Sequence, residues 1–265
     1  MCPASLPCQG FSRCTRAGRA ERGKTVPVRT RPPGPAREVH LAKGGGFCLY
    51  EDVHAFVADI HLRPRAAGET ERFLAWVTGH ASRADHVFIL GDLFDYWYTG
   101  LEGSVGQVLD ALRNTRTHVL TGNRDFLLGG SGIAGVDILR AEEVTITIGD
   151  MRVLLAHGHT LAVSDSRFRL LHHYGWPVLA RVDRLLPAEI KDILARFFVR
   201  SSRAVRASSL EIPQGIARMR GVDMVICGHL HRHIERDDLI VVPPFCDTGS
   251  WMEWEEGECR ARLRP

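Results

Sequence analysis

Seven side chains that can give oxygen or nitrogen to a cation stand just after five short apolar runs. Asp59 and His61 follow Ala55-Phe56-Val57-Ala58, Asp92 follows His86-Val87-Phe88-Ile89-Leu90, and Asn123 follows His118-Val119-Leu120-Thr121. His157 follows Val153-Leu154-Leu155-Ala156, and His229 and His231 follow Met224-Val225-Ile226-Cys227. One Asp or His after a strand is usually a turn former, so the weight lies in their joint occurrence. Three carboxylate or carbonyl donors with four imidazoles suit two borderline divalent ions such as Mn²⁺, Fe²⁺, Zn²⁺ or Co²⁺ better than the oxygen cage preferred by Ca²⁺ or Mg²⁺. The lack of thiolates excludes a Cys-rich structural zinc site. Two such ions, roughly 3.5 to 4 Å apart, clamp the attacking and leaving oxygens of an in-line displacement and acidify a water, which is the chemistry of phosphoester hydrolysis.

The elements that must position these donors follow from periodicity. Continuous apolar runs bounded by Gly predict strands buried on both faces. Between the first two runs Phe73, Leu74, Trp76 and Val77 fall at helical spacing over Glu69 to Ala81, and between the second and third Val105, Leu109 and Leu112 do the same. These read as βαβ crossovers. Val144-Thr145-Ile146-Thr147-Ile148 and Met151-Arg152-Val153-Leu154-Leu155 flank Gly149-Asp150, a two-residue hairpin signal, so an α/β fold with mixed pairing is expected. In such sheets ligands bind at the carboxyl ends of strands, where every donor falls. Gly91, Gly122 and Gly228 before the donors are expected to allow sharp turns and close approach.

The chain has 265 residues, ample for one α/β domain, and its 45% hydrophobic content excludes wholesale disorder. A net charge of +3 sets up no field that would favour nucleic acid. Residues 1–50 differ, being rich in Arg, Pro and Gly, and are expected to be a disordered basic leader or an over-extended start, with the domain over 51–265. Cys2, Cys8 and Cys14 lie in the leader and Cys48, Cys227, Cys246 and Cys259 are scattered without CxxC spacing, so a reducing compartment is expected. No apolar run is long enough to span a bilayer. From about 161 to 220 the pattern becomes helical, which predicts an insertion standing over the site as a cap.

The motifs Asp59-Ile60-His61, Gly91-Asp92, Gly122-Asn123, His157 and Gly228-His229-Leu230-His231 are similar, in order, to those of the calcineurin-like metallophosphoesterases. The resemblance implies a four-layer α-β-β-α sandwich, with one ion held by Asp59, His61, Asp92 and His231, and the second by Asp92, Asn123, His157 and His229. Most of that superfamily places a His after the Asn; here the run is Gly122-Asn123-Arg124-Asp125-Phe126-Leu127-Leu128. With Gly91-Asp92-Leu93-Phe94-Asp95-Tyr96-Trp97 and the helical insertion, this resembles the branch of UDP-2,3-diacylglucosamine diphosphatases of lipid A synthesis. Its members split the pyrophosphate by water attack at the α-phosphorus, releasing UMP and the diacylated sugar 1-phosphate. The resemblance implies two divalent ions such as Mn²⁺, a nucleotide-sugar lipid substrate, cytoplasmic location and peripheral contact with the inner membrane, with no nucleic-acid or obligate protein partner. It makes Asp92, Asn123 and Arg124 catalytic, and Asn123, Arg124 and His229 substrate contacts. The planar, permanently charged Arg124 would grip two phosphate oxygens.

In the insertion, Ser202, Arg203 and Arg206 are candidate phosphate or sugar contacts, and Leu185, Leu186, Ile190, Ile193, Leu194, Phe197, Phe198 and Val199 either line an acyl channel or form the helices' packing face. The chain departs from the branch where it has His157-Gly158-His159 for His-Gly-Asp, and His231-Arg232-His233 where a Pro ends the last motif. A general phosphodiesterase or phosphatase on the same scaffold is the alternative, and a non-catalytic metal-binding scaffold a further one. His159 reads equally as a polar contact near the ions or as a supporting residue.

Overall fold

A computed structural model describes residues 47–49, 53–64, 66–130, 133–139, 141–162, 175–203, 210–255 and 258–262. The elements run β1 (Phe47–Leu49), β2 (His54–Val57), α1 (Ala67–Gly79), β3 (His86–Leu90), α2 (Gly106–Arg113), β4 (Thr117–Leu120), β5 (Asp137–Leu139), β6 (Glu143–Ile148) and β7 (Met151–Ala156). They continue with α3 (Trp176–Asp183), α4 (Ala188–Arg203), α5 (Ile216–Arg220), β8 (Met224–Cys227), β9 (Ile234–Arg236), β10 (Leu239–Val241), α6 (Phe245–Thr248), β11 (Trp251–Glu255) and β12 (Glu258–Arg262). Two six-stranded sheets result, ordered β12-β11-β2-β3-β4-β5 and β1-β6-β7-β8-β10-β9. Both mix parallel and antiparallel pairs, and β6 and β7 form the expected hairpin.

Three apolar clusters fill the spaces between four layers. Phe73, Trp76 and Val77 of α1 and Val108, Leu109 and Leu112 of α2 pack on Val57, Val87, Ile89 and Val119, the outer face of the first sheet. The opposite residues of the same strands, Phe56, Phe88, Leu90 and Leu120, meet Ile146, Val153, Leu155 and Ile226 across the sandwich. Phe56 and Phe88 lie side by side on paired strands, ring centroids 5.4 Å apart. Each such fully buried side chain contributes about 1.5–3 kcal/mol relative to exposure. The third cluster joins Ile216 and Ala217 of α5 to Leu154, Ala156, Val225 and Cys227 on the outer face of the second sheet. The four-layer α-β-β-α arrangement is therefore present.

Two boundaries differ from the sequence reading. Phe47, Cys48 and Leu49, counted in the leader by composition, pair in parallel with Ile146, Thr147 and Ile148, because this short apolar triplet completes a sheet edge. Ile212, Ile216 and Ala217, counted in the insertion, belong to the core, because α5 covers β7 and β8. The insertion helices are α3 and α4, separated near Pro187 as proline requires. Residues 1–46, most of the leader, lie outside the described residues.

Candidate metal centre

Each of the seven donors sits where a strand stops. The strands β2, β3 and β4 are parallel neighbours in one sheet, and β7 and β8 are parallel neighbours in the other, so their carboxyl ends open at the same edge of the sandwich. The backbone there is forced out of ordinary regions. Asp59, His61, Asp92, His229 and His231 all have positive φ, between 48° and 71°, and they are the only non-glycine residues that do so among those described. Left-handed backbone costs about 1–3 kcal/mol per ordinary residue and persists where function over-determines it. Glycine serves the same crowding by a different route at Gly122, where a Cβ would overlap the Asp92 carboxylate and amide.

The two carboxylates are oriented in the same way. The His229 amide donates to Asp59 Oδ2 at 2.8 Å, and the Arg124 amide donates to Asp92 Oδ1 at 2.9 Å. Each acid thus has one oxygen tied to backbone and turns the other toward imidazoles. Asp59 Oδ1 lies 3.7 Å from His231 Nε2 and 4.0 Å from His61 Nε2, while Asp92 Oδ2 lies 3.8 Å from His61 Nε2 and 3.5 Å from His157 Nε2. The His61 and His231 Nε2 atoms face each other at 3.2 Å. His157 donates from Nδ1 to the Leu90 carbonyl at 2.8 Å, and its Nε2 faces Asn123 Oδ1 at 2.9 Å. His229 completes the group, its ring 5.0 Å from that of His157.

This geometry fits a divalent cation. Asp59 Oδ1 and His229 Nε2 are buried and lack a hydrogen-bond partner among the described residues, a state that costs about 1–3 kcal/mol per group unless a ligand satisfies it. Burial pushes the His61 and His229 imidazoles down to about 3, so both are neutral and present a lone pair. Burial alone would push the Asp92 carboxyl up, but His157, His61 and Arg124 outweigh it and hold the group well below the usual carboxylate range. His157 is correspondingly pushed up to about 9, its burial opposed by Asp92 and Asp59. A cation at this point would satisfy the buried Asp59 Oδ1 and His229 Nε2. Asp59, His61 and Asp92 form one metal-competent cluster; His61, His231 and Cys246 form another, with ligand atoms within 4.8 Å of one another.

Arg124 points from the centre into a cavity roofed by the insertion. Its Nη1 donates to Asp95 Oδ1 at 2.7 Å and its Nε stands 3.8 Å from Asp92 Oδ2. The cavity, about 220 Å³, has walls of Tyr96, Trp97, Phe126, Trp176, Leu179 and Leu186, with Asn123 and Arg124 at the metal-centre end. The Phe126 and Trp176 rings stack at 4.3 Å, and Asp183 accepts hydrogen bonds from the Thr99 amide and hydroxyl, fastening α3 to the loop after β3.

Sequence reasoning located the seven donors and Arg124, and the structure brings them together. Of the insertion's apolar stripe, Leu186, Leu194 and Val199 line the cavity, whereas Leu185, Ile190, Ile193 and Phe197 are 45–82% exposed. Ser202 and Arg203 lie in the last turn of α4, and Arg206 lies outside the described residues. His159 is buried, its ring 5.8 Å from Trp176 and 5.5 Å from His157. Three residues went unnoticed. Asp95 holds Arg124, and Cys246 has no local motif to mark it. Asp125, pushed up to about 7 by burial and the nearby Asp92, accepts the Gly122 and Phe94 amides and ties two site loops together. Asp95 and Asp125 were visible only as acids beside donor motifs.

The family model of the calcineurin-like phosphoesterases matches residues 54–233. A protein of Haemophilus influenzae named UDP-2,3-diacylglucosamine hydrolase is 32% identical over 197 residues, covering 67% of this chain and 82% of its own. Proteins of the same name from Pseudomonas aeruginosa and Klebsiella pneumoniae are each 33% identical, covering 68% and 67% of this chain and 82% and 81% of their own. Among solved structures, a cold-active protein-tyrosine phosphatase of Shewanella is 16% identical with a TM-score of 0.43, over 82% of this chain and 79% of its own. A Vps29 double mutant of Entamoeba histolytica is 17% identical with a TM-score of 0.38, over 80% and 99%. With strand-end donors, two packed sheets and a match across all five motifs, the chain belongs to the calcineurin-like phosphoesterase family and is a metal-dependent phosphoesterase.

Proposed function

We propose that the protein hydrolyses the pyrophosphate of UDP-2,3-diacylglucosamine to UMP and 2,3-diacylglucosamine 1-phosphate. The observation that carries this reading is the position of Arg124, between the seven-donor centre and an aromatic, apolar cavity under the insertion. Asp59, His61, Asp92 and His231 would hold one divalent ion and Asp92, Asn123, His157 and His229 the other, with Mn²⁺ the proposed metal. Such ions polarise phosphoryl oxygens and lower the pKa of the attacking water.

The chain's own residues do the rest. Arg124 grips phosphoryl oxygens at the α-phosphorus, where negative charge develops, and Asn123 orients the same group. Attack at the α-phosphorus breaks its bond to the bridging oxygen and expels the sugar 1-phosphate, a good leaving group, so the His that most of the superfamily places after the Asn is dispensable. Trp176, Leu179, Leu186 and the loop aromatics exclude water and offer apolar surface to acyl chains. Ser202, Arg203, Arg206 and His229 are proposed sugar or phosphate contacts. Leu185, Ile193 and Phe197, exposed by 82%, 67% and 64%, are the apolar side chains that would rest on the bilayer carrying the lipid substrate at the cytoplasmic side of the inner membrane. Among the described residues no helix is long and apolar enough to cross a membrane.

The test is incubation of Mn²⁺-loaded protein with UDP-2,3-diacylglucosamine, UDP-glucose and bis(p-nitrophenyl) phosphate, with mass-spectrometric identification of the nucleotide released. UMP from the acylated substrate alone is expected. Cleavage of only the simple diester would move the protein to a general phosphodiesterase.

A further inference from the structure

We infer that Asp95 is a positioning residue that fixes Arg124 and thereby sets phosphate recognition, an inference that rests on the phosphohydrolase reading above. Asp95 is buried, 1% exposed, in the loop after β3. Its Oδ1 accepts from Arg124 Nη1 at 2.7 Å, and the same oxygen stands 3.6 Å from His61 Nδ1, on the side of that ring away from Asp59 and Asp92. One carboxylate oxygen therefore stands between a candidate metal-ligating imidazole and the phosphate-gripping guanidinium.

Its placement is rigid. The Asp95 amide donates to the Leu62 carbonyl at 3.0 Å, joining the loop after β3 to the loop that carries Asp59 and His61. The preceding residue, Phe94, donates its amide to the buried Asp125 at 3.2 Å. Arg124 has many rotamers, and a free guanidinium beside Asp92 would fold back onto that carboxylate and compete with the cation there. With Nη1 committed to Asp95 and Nε 3.8 Å from Asp92 Oδ2, its remaining donors are left for substrate oxygens. Supporting partners of this kind commonly change activity or affinity by about 10- to 100-fold when removed.

The experiment is a double-mutant cycle on the Mn²⁺-loaded protein with Asp95→Asn, Arg124→Ala and the pair, reading kcat and KM on UDP-2,3-diacylglucosamine and calorimetric affinity for UMP. Asp95→Asn is expected to keep its bound Mn²⁺ and melting temperature, and to lose about 10- to 100-fold in kcat/KM with a parallel loss of UMP affinity. In the Arg124→Ala background the same change should cost less than about twofold, because its route runs through Arg124. Asp95→Glu, which keeps the charge, should restore part of both quantities. Losses that multiply in the double variant, or an Asp95→Asn protein that binds UMP like the parent, would overturn the inference. If Asp95→Asn does not fold, Asp95→Glu carries the same cycle, and its loss must vanish beside Arg124→Ala. Wild-type protein without turnover on any phosphoester would instead defeat the functional reading.

Discussion

The Arg124 amide donates to Asp92 Oδ1, so the residue that offers its side chain to phosphate also orients, through its backbone, the carboxylate proposed to serve both ions. The two roles separate by mutation. Arg124→Ala keeps the amide, and is expected to retain both metals while kcat falls by about 10²–10³. Asp92→Ala removes the acceptor itself, and is expected to lose metal together with detectable turnover. Metal content by elemental analysis beside steady-state kinetics checks both, and an active Asp92→Ala protein would contradict the shared-ligand assignment.

Chelation should loosen the fold at this edge. Asp59 Oδ1 and His229 Nε2 have no other partner among the described residues, so the loaded state is the one in which they are satisfied. Metal at 100 times its Kd adds about 2.7 kcal/mol per site, which for a domain of this size is about 5–10 °C of melting temperature per site. Calorimetric scans with EDTA and with added Mn²⁺ measure it; identical curves would mean that the donors do not bind.

Gly122→Ala is a sterically defined probe. Its Cβ would overlap Asp92, and relief must come from the carboxylate or from the loop holding Asn123. Overpacking of this kind costs about 1–3 kcal/mol, and here activity should fall by more than the stability change explains. Urea midpoints and kcat measured on one preparation separate the two effects.

At the opposite end of the first sheet, His54 and His86 are buried on paired strands and burial pushes each down to about 4. Asp85 opposes the shift at both, and His118 reinforces it. The unfolded chain takes up these protons below pH 6.5, whereas the folded chain resists them until about pH 4. The contribution to stability is therefore complete above 6.5 and declines as the pH falls to 4. In EDTA, melting temperature against pH should decline less steeply for His54→Phe than for the parent; parallel profiles would count against it.

The donors were legible in the sequence because each ends an apolar strand, and a strand end fixes both position and direction. The helices at Phe73–Val77 and Val108–Leu112 were legible for the same reason, one periodic face against a sheet. What was hidden depends on contacts distant in the chain. Whether Leu186 or Leu185 faces the cavity is decided by how α3 docks through Asp183 and Thr99, and helical spacing holds no record of that docking. Asp95 looked like any acid in an aromatic loop until Arg124 was found against it. Phe47–Leu49 read as leader because its strand partner lies about a hundred residues on.

The metal centre straddles the seam between the sheets, three strand ends on one side and two on the other, with His61 and His231 meeting across 170 positions of sequence. During synthesis the first half of the cradle must wait, incomplete, for the last strand ends to emerge. The centre is complete only when strand ends this far apart in the chain have met, and ions bound there would act as a clasp across the two sheets.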